Sequence, residues 1–478
     1  MVSRPRRITS VPRFARIAAV FALLVLAPTA CGGGGGHGSR GGAGLRDPYF
    51  PKAGNGGYDV THYGLRLSYD PGPRRLTGTA TITARATQDL SALNLDLKGL
   101  TVRKVTVEGE AARWKRAGQE LTVRPSRALE EGETFAVTVH YSGAPKTLTD
   151  PDDSKEGWLR TADGAVALGE PAGSMTWFPG NHHPRDKAAY DITVTVPEGL
   201  RAVSNGELTA EHTERGRTTF AWHTAEPMAS YLATVAIGAY EIHRSTTGGG
   251  LPVYTAVDPD QAEASRAVLA RLPEVMDWAG TTFGPYPFSS VGAVVDRPDD
   301  AGYALETQTR PFFPGAPDLD TLVHELAHQW YGDSVTPRTW RDMWLNEGFA
   351  TYAEWLWQED HGGDTAQETF DALYAGDYFD TEEDDRALWA FPPARPASAA
   401  HLSDPPVYWR GAMVLHKIRQ TVGDDLFHDI LKGWAAAHRH GTASTGDFTA
   451  YVERQAPDED FGRIWADWLY GEGRPKRP

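Results

Sequence analysis

His324-Glu325-Leu326-Ala327-His328 is the stretch of sequence from which the fold and chemistry of the second half of this chain can be predicted. Residues four apart lie on one face of a helix, so the two imidazoles can reach a single metal ion. Glu325 would lie beside the metal without binding it, which suits a general base that activates a water molecule. Asp318 predicts the start of this helix and Gly332 its end.

A third metal ligand is predicted downstream of the second histidine. Glu347 lies there in Trp344-Leu345-Asn346-Glu347-Gly348, a segment that predicts a second helix crossing the first. Two histidines and one glutamate are a common ligand set of catalytic zinc, with the fourth position left for water. The sequence therefore predicts one Zn²⁺ per chain, bound by His324, His328 and Glu347. Two surface histidines on an ordinary amphipathic helix would leave the position of Glu347 unexplained.

Glu354 lies two helical turns after Glu347, on the same face of the predicted helix. From there its carboxylate could orient a ligand histidine through the ring nitrogen that faces away from the metal. The alternative is a solvated glutamate on the surface of the helix, and the sequence leaves both interpretations open.

The length and charge of the chain limit what it can be. With 478 residues it is too long for one ordinary core, which predicts two or three domains. A formal net charge of -16 makes nucleic acid a poor partner and favours solubility as the simplest explanation of the acidity. The single cysteine, Cys31, excludes an intramolecular disulfide, so stability must come from the core.

The N-terminal residues 1–31 have the pattern of an export signal. Five arginines precede an apolar stretch, residues 17–27, that is too short to span a bilayer comfortably. Ala30-Cys31 then resembles the end of a bacterial lipoprotein signal, although Pro28 stands where that family usually has leucine. The sequence predicts an exported protein, either a cell-surface lipoprotein anchored through a lipid on Cys31 or a secreted protein. The Gly-rich residues 32–46 predict a flexible tether.

Residues 47–245 predict an N-terminal all-β domain. Apolar and polar residues alternate in several short segments, among them 63–69, 79–84 and 136–141. Turn sequences such as Asp70-Pro71-Gly72-Pro73 separate them. We expect a sandwich or saddle of sheets.

Residues 246–478 predict a mainly α second domain, which makes the fold class multidomain α+β. A strand is predicted at 290–296, and Pro273 should kink or split the first of the helical stretches. The predicted helical stretches are 260–283, 318–331, 341–360, 366–377, 408–421, 424–438 and 459–470.

The two metal-binding segments resemble the aminopeptidase N family of gluzincin zinc metallopeptidases. The resemblance rests on His-Glu-Leu-Ala-His-Gln-Trp-Tyr-Gly at 324–332 and Trp-Leu-Asn-Glu-Gly-Phe-Ala at 344–350. Shorter similarities extend it over most of the chain: residues 58–63, 283–288, 445–448 and 468–470. The resemblance implies a β domain packed on a thermolysin-like peptidase domain, and hydrolysis of N-terminal residues from peptides. Many members continue with a C-terminal helical domain, and we expect none here, because little sequence follows residues 468–470.

The resemblance gives a role to Glu306. It matches the glutamate of the family's Gly-x-Met-Glu-Asn motif, which binds the free α-ammonium of the substrate through a charge-assisted hydrogen bond. Tyr303, Leu305 and Thr307 depart from the usual residues of that motif. These departures leave the carboxylate in place and leave the shape of the pocket open.

Two further roles follow from the resemblance. Tyr408 matches the catalytic tyrosine, whose hydroxyl would stabilise the oxyanion that develops on the scissile carbonyl. Glu170 matches, more loosely, a residue of the β domain that contributes to binding of the α-amine. Arg410 stands where members usually have lysine.

The predicted function is therefore a zinc aminopeptidase that acts on peptide substrates and needs no evident obligatory protein partner. One alternative is a zinc endopeptidase of the same fold, which loss of Glu306 function would favour. A second alternative is a non-catalytic surface binding protein that keeps the fold. The presence of every catalytic residue type argues against this second alternative.

The lipid anchor can be tested directly. We expect the mature protein to sediment with membranes, and Cys31→Ser to release it, because the substitution removes the thiol that would carry the lipid. Fractionation of cells that express each form, followed by immunoblotting, measures the distribution. Unchanged membrane association of the variant would contradict the prediction of a lipoprotein.

Overall fold

The computed structural model describes residues 38–298 and 301–476. The predicted export signal and Cys31 lie outside these residues, so both stay predictions. Within the described ranges, no helix is both long and apolar enough to cross a membrane.

The N-terminal half is built of β-sheets, as predicted. Its largest sheet has eight strands, all antiparallel except for one parallel pair formed by Tyr58–Asp70 and Lys187–Pro197. In spatial order the strands are Glu207–Glu214, Arg217–Ala229, Lys187–Pro197, Tyr58–Asp70, Arg75–Ala86, Thr134–Gly143, Thr101–Val107 and Glu110–Ala111.

Sequence alternation explains why one face of this sheet is buried. In the strand Tyr58–Asp70, Leu65 and Leu67 are buried whereas Arg66 between them is exposed. A bulge at Thr61 shifts the register by one residue, so that the buried positions change from even to odd numbers along this strand. The buried face packs on the next sheet, where the rings of Tyr69 and Trp158 lie 5.0 Å apart. The predicted sandwich is therefore present.

Two smaller sheets complete this half of the protein. The five-stranded sheet has the spatial order Thr147–Thr149, Lys155–Arg160, Ala165–Leu168, Val235–Gly238 and Arg201–Ser204. The four-stranded sheet has the order Ser39–Arg40, Leu90–Asp96, Glu120–Arg124 and Arg113–Ala117. The strand Ser39–Arg40 falls within the predicted tether, yet it pairs with Leu90–Asp96 through backbone hydrogen bonds.

The second half is mainly helical, in agreement with the predicted fold class. Its helices are Ala262–Leu269, Leu272–Phe283, Leu319–Ala327, Trp344–Asp360, Ala366–Ala375, Glu382–Ala387, Gly411–Val422, Asp424–Ala437 and Thr445–Gln455. Two π-helical turns, Pro406–Arg410 and Ile464–Leu469, accompany them. A four-stranded sheet has the order Glu241–Thr246, Pro252–Val257, Val291–Asp296 and Phe312–Pro314, and a short pair joins Thr336–Pro337 to Thr442–Ala443.

Several sequence-based expectations can be compared with these helices. The first helical stretch is split, and the second of its two helices begins at Leu272 with Pro273 in the first turn, where a missing N–H costs nothing. The hairpin that includes Glu241–Thr246 crosses the domain boundary predicted at 245, which stays a prediction. The helix that contains His324 ends at Ala327, before the predicted stop at Gly332.

A buried arginine joins the two halves. Arg310 is 1% exposed, and its guanidinium donates to the carbonyls of Gly206 (2.5 Å) and Ser204 (3.4 Å) in the first half. It also donates to the carbonyls of Tyr254 (2.7 Å) and Val291 (3.2 Å) in the sheet of the second half. Burial lowers the pKa of Arg310 to about 10, so the group stays charged at neutral pH. One side chain thus satisfies backbone acceptors of both halves at their junction.

A buried lysine makes a second connection. Lys187 comes from the large sheet, and its Nζ donates to the carbonyls of Asp333 (2.7 Å), Ser334 (2.9 Å) and Gly441 (3.4 Å). Burial lowers the pKa of Lys187 to about 7, and the charge of Asp333 offsets part of this effect. The segment that follows the histidine helix is therefore attached to the first half by backbone acceptors.

Candidate active site

A cavity of about 490 Å³ opens between the two halves and contains every residue that the sequence predicts for the site. Its walls come from the five-stranded sheet, the segment 302–306, the two metal-binding helices and the π-helical turn. The lining residues are Asp150, Asp152, Asp153, Ser154, Lys155, Glu170, Pro171, Gly302, Tyr303, Ala304, Leu305, Glu306, His324, Glu325, His328, Trp340, Glu347, Leu402, Ser403 and Tyr408.

The structure brings the three predicted metal ligands together. Nε2 of His324 lies 3.2 Å from Oε2 of Glu347, and Nε2 of His328 lies 3.3 Å from the same oxygen. The two imidazole rings are 4.6 Å apart and nearly perpendicular. Burial raises the pKa of Glu347, but His328 and His324 outweigh it and hold the pKa at about 2, so the carboxylate is ionised.

The donor set fits a zinc ion. Nδ1 of His328 lies 3.1 Å from the carbonyl of Tyr331, which can only accept, so Nδ1 carries a proton and Nε2 is the ring nitrogen available to a metal. Nδ1 of His324 is likewise directed at a carboxylate, Oε1 of Glu354, at 2.5 Å. Lone pairs therefore converge where a cation is needed. Ligands bound to tetrahedral zinc at about 2.0–2.1 Å would lie about 3.3 Å from each other, close to the spacing seen here.

Local structure explains the orientation of the histidine helix. Asp318 caps its N-terminus, as predicted, by accepting from the backbone N–H of Thr321 at 2.8 Å. His324 lies in the last turn and His328 caps the C-terminus, so both rings leave the same end of the helix. Glu325 is 5% exposed, and its Oε2 has no hydrogen-bond partner among the described residues.

The environment of Glu325 suits proton transfer. Burial raises the pKa of Glu325 to about 8, and the charges of His324 and His328 offset part of that effect. A cation between the three ligands would favour the ionised carboxylate further. A free, buried carboxylate oxygen beside a metal site can accept a proton from a water molecule.

The second helix, Trp344–Asp360, carries both Glu347 and the residue behind His324. Its crossing with Gly411–Val422 is close, because a Cβ added to Gly348 would lie 2.9 Å from the backbone of Gly411. Glu354, two turns after Glu347, forms the contact with Nδ1 of His324. Of the two interpretations left open by the sequence, the structure therefore favours orientation of the histidine.

Glu306 lines the cavity and is held by neighbouring side chains. It is 3% exposed, and its Oε1 accepts a hydrogen bond from Nδ2 of Asn346 at 2.9 Å. Its backbone carbonyl accepts from Nε2 of Gln329, on the segment that follows the histidine helix. Two neighbours of the metal ligands thus fix the position of this carboxylate.

The first half of the protein also holds the segment that carries Glu306. Nδ2 of Asn205 donates to the carbonyl of Gln308 at 2.8 Å, and the backbone N–H of Gly206 donates to Oγ1 of Thr309 at 2.7 Å. Arg310, which ends the segment, is the junction arginine described above. The position of Glu306 therefore depends on contacts from both halves.

Glu170 approaches Glu306 from the five-stranded sheet. Carboxylate oxygens of Glu170, Glu306 and Glu347 all lie within 4.8 Å of one another. Burial and then the charges of Glu306 and Glu347 raise the pKa of Glu170 well above its usual value. A positively charged ligand between Glu170 and Glu306 would relieve this repulsion.

Tyr408 faces the metal ligands from the π-helical turn Pro406–Arg410. Its ring lies 6.0 Å from that of His324 and is nearly parallel to it. Burial and the nearby charge of Glu347 raise the pKa of Tyr408 well above its usual value, so the phenol keeps its proton. Irregular turns of this kind are frequent at functional sites, where they redirect side chains.

Arg410 anchors that turn. Its guanidinium donates to the carbonyls of Trp468, Phe391, Asp467 and Gly471, at 2.6–3.2 Å. The C-terminal segment is therefore bound to the element that carries Tyr408.

Asn346, Gln329 and Arg310 position the site, although none of them is among the residues predicted for it. Asn346 precedes a metal ligand and Gln329 follows one, and this adjacency was the available signal. Arg310 offered none, because its acceptors are backbone carbonyls far away along the chain.

Comparison with known proteins gives two family matches. Residues 318–468 match the Peptidase family M1 domain, and residues 59–232 match the Peptidase M1 N-terminal domain. The glutamyl aminopeptidase of Sus scrofa is 24% identical over 465 residues, which cover 87% of this chain and 47% of that protein. The chain thus spans about half the length of the curated relatives that it matches.

Solved structures give a more complete match. The crystal structure of an M1 zinc metallopeptidase from Deinococcus radiodurans is 30% identical, with a TM-score of 0.82, and 91% of this chain covers 98% of that chain. A mutant of the Deinococcus radiodurans enzyme bound to a Tyr-Ser-Ala substrate is also 30% identical, with a TM-score of 0.82 and coverage of 91% and 99%.

The contact between Glu354 and His324 leads to a prediction about metal affinity. Glu354→Ala should weaken zinc binding about 10- to 100-fold, because the ligand histidine loses the acceptor that orients it. Glu354→Gln should retain more affinity, since its amide oxygen can accept the same hydrogen bond. Competition with a chromogenic chelator measures the dissociation constant.

The exposed Glu383, changed to alanine, provides the control and should bind zinc as the unchanged protein does. Equal affinity of Glu354→Ala and this control would show that the contact does not orient the ligand.

Proposed function

This chain belongs to peptidase family M1, and we infer that it is a zinc-dependent aminopeptidase that removes N-terminal residues from peptides. The observation that carries this proposal is a pair of carboxylates, the half-buried Glu170 and the buried Glu306, beside the predicted metal ligands. A metal centre alone would suit any peptidase of this class. Two carboxylates close to it suit a substrate whose free ammonium lies next to the scissile bond.

Bound zinc would act as a Lewis acid that polarises the scissile carbonyl and makes water more acidic. His324, His328 and Glu347 would hold it. Oε2 of Glu325, which is free of protein partners within the described ranges, accepts the proton of the attacking water. The same carboxyl then donates this proton to the nitrogen of the leaving peptide.

Tyr408 stabilises charge on the other side of the scissile carbonyl. Its neutral hydroxyl donates a hydrogen bond to the oxygen on which negative charge develops. Such a donor is most useful when it is already oriented, because no reorganisation is needed during the reaction. The π-helical turn anchored by Arg410 provides this rigidity.

Glu306 and Glu170 bind the α-ammonium of the substrate. Asn346 fixes Glu306, so the ammonium and the scissile carbonyl have a defined separation. A productive position then requires the first residue of a chain, which makes cleavage stop one residue from the N-terminus. The related enzyme crystallised with a Tyr-Ser-Ala substrate supports peptides as the substrate class.

Separate substitutions should distinguish the general base from a metal ligand. The purified protein should contain about one zinc per chain, measured by mass spectrometry of the metal. Glu325→Gln should keep this zinc and lose about 10²- to 10⁴-fold in kcat, because it removes the proton acceptor alone. His324→Ala should lose zinc and activity together. A Glu325→Gln protein without zinc would contradict the proposed roles.

A comparison of free and blocked peptides tests the exopeptidase character. A peptide with a free N-terminus should be cleaved well, and its N-acetylated form poorly, because acetylation removes the ammonium. Glu306→Ala should lower kcat/KM for the free peptide at least about tenfold, since a charge-assisted hydrogen bond contributes roughly 1.5–3 kcal/mol. Rates on the acetylated peptide should change little.

The exposed Glu459, changed to alanine, controls for loss of a surface charge and should leave the preference for free peptides unchanged. Equal cleavage of free and acetylated peptides by the unchanged protein would favour an endopeptidase.

A further inference from the structure

The four-stranded sheet of the first half carries a basic groove that the proposed function does not use. The groove has a volume of about 230 Å³ and lies along the paired strands Arg113–Ala117 and Glu120–Arg124. Its lining residues are Arg113, Trp114, Lys115, Thr122 and Arg124. Three of them are cations, in a chain whose formal net charge is -16.

The cations of this basic groove are not paired with carboxylates. Arg113 and Arg124 lie directly opposite each other on the two antiparallel strands, where like charges repel. Among the described residues, no ion pair joins Arg113, Lys115 or Arg124 to a carboxylate. Arg127, three residues further along the chain, is by contrast paired with Glu133. The repulsion in the groove is therefore left for an anion from outside to relieve.

The four strands of the sheet contain two carboxylates, and neither compensates this charge. Asp96 is completely buried, and burial raises its pKa to about 8. Glu120 lies at the opposite end of its strand from Arg124, and burial raises its pKa to about 7. Because neither carboxylate is fully ionised at neutral pH, the groove keeps its positive charge.

Trp114 adds an apolar group to the groove. Its side chain is 39% exposed, and Tyr378 is the one other large hydrophobic residue so exposed in the part of the chain that the structure describes. Trp114 lies between Arg113 and Lys115 on an edge strand of the sheet. Tryptophan beside cations is typical of protein surfaces that lie at the level of lipid headgroups.

The strand nearest the N-terminus belongs to the same sheet. Ser39–Arg40 forms one edge and Arg113–Ala117 the other, about 15 Å away across three strand spacings. Arg40 pairs with Ala92, and the register of the next strand pair brings Arg124 to the same row. Positive side chains thus continue from the groove to the strand with which the described chain begins.

The chain between this strand and the predicted lipid site is short. Cys31 precedes the first described residue, Gly38, by seven positions. Seven residues span at most about 25 Å, because a fully extended residue spans at most about 3.6 Å. A lipid on Cys31 would therefore keep the start of this sheet within about 25 Å of a bilayer.

We propose that the basic groove and Trp114 form a surface that binds the anionic headgroups of a lipid bilayer. The cations attract the phosphate groups. The indole of Trp114 enters the interfacial layer, which accommodates both its apolar rings and its N–H. A single acyl chain anchors a protein weakly, and a basic patch is a second signal that makes the association stable.

Binding to vesicles in the absence of the lipid tests this inference. The full chain with Cys31→Ser is mixed with vesicles of phosphatidylcholine alone, or of equal parts of phosphatidylcholine and phosphatidylglycerol, and sedimented. We expect partition onto the anionic vesicles to be at least about tenfold stronger and to weaken at high salt. Equal partition onto the two kinds of vesicle would overturn the proposal.

Substitutions separate the groove from the arginines of residues 1–31. In the Cys31→Ser chain, Arg113→Gln, Lys115→Gln and Arg124→Gln together should weaken partition onto anionic vesicles at least about tenfold. An unchanged partition would overturn the proposal. If this triple variant does not fold, Lys115→Gln alone decides, with partition expected to weaken about threefold.

A matched control removes the same charge elsewhere. Arg160, Lys432 and Arg463 are exposed, and their joint replacement by glutamine should leave partition unchanged. A loss equal to that of the groove variant would show that net charge alone governs binding, and would overturn the proposal. Both triple variants should cleave a free peptide as the parent does, because these residues lie outside the cavity of the candidate active site. The result is therefore independent of the proposed peptidase function.

Trp114→Ser distinguishes a bilayer from a soluble polyanion. It should weaken partition onto anionic vesicles at least about threefold and leave binding of polyphosphate unchanged, because only a bilayer offers the indole an apolar layer. Tyr378→Ser removes the other exposed aromatic side chain and should change neither. An equal effect of Trp114→Ser on vesicles and polyphosphate, or no effect on either, would overturn the lipid surface as the partner.

Discussion

Repulsion among buried carboxylates is the constraint on which the rest of the site depends. Glu170, Glu306, Glu325 and Glu347 all line one cavity, and the charges of Glu306 and Glu347 help to raise the pKa of both Glu170 and Glu325. In a low-dielectric cavity such charges are costly unless cations lie among them. The protein provides neutral donors such as Asn346, together with the two histidines of the metal site, and ligands from outside would supply further positive charge. Under the proposed function, a metal ion and a substrate ammonium meet this need.

A rigid frame is needed to hold like charges close together. The helix with Glu347 approaches Gly411–Val422 closely at Gly348, where any side chain would push the helices apart. The turn with Tyr408 ends where the helix Gly411–Val422 begins. Arg410 ties this turn to the carbonyl of Phe391 and to three carbonyls near the C-terminus. Because these contacts are to backbone acceptors, they fix positions without adding further negative charge to the cavity.

The parts of the site that could be predicted are those encoded by local spacing. His324, His328 and Glu347 lie on two helices whose geometry follows from short sequence intervals, and the structure brings them together as expected. The positions of Glu306, Glu170 and Tyr408 came from a family resemblance, and these residues also line the cavity. The order of a β half before a helical half could be predicted because the periodicity of apolar residues changes along the chain.

Other features depend on contacts that local sequence does not encode. The helix Thr445–Gln455 was not predicted, because Gly446 and Thr449 are weak helix formers and few residues of this segment are apolar. Its capping box, Ser444 with Asp447, was the signal that could have revealed it. The acidic turn of Asp150, Asp152 and Asp153 becomes part of the cavity only because the five-stranded sheet folds against the second half.

The connection between Glu306 and the first half has a consequence for how the chain matures. Asn205 and Gly206 hold the segment of Glu306, and both are synthesised before His324. The ribosome therefore releases the first half and the segment of Glu306 ahead of the metal ligands. In a nascent chain, the segment of Glu306, which would restrict cleavage to peptide ends, therefore emerges before the metal site is complete. Under the proposed function, the order of the domains protects neighbouring polypeptides from an unrestricted hydrolase during synthesis.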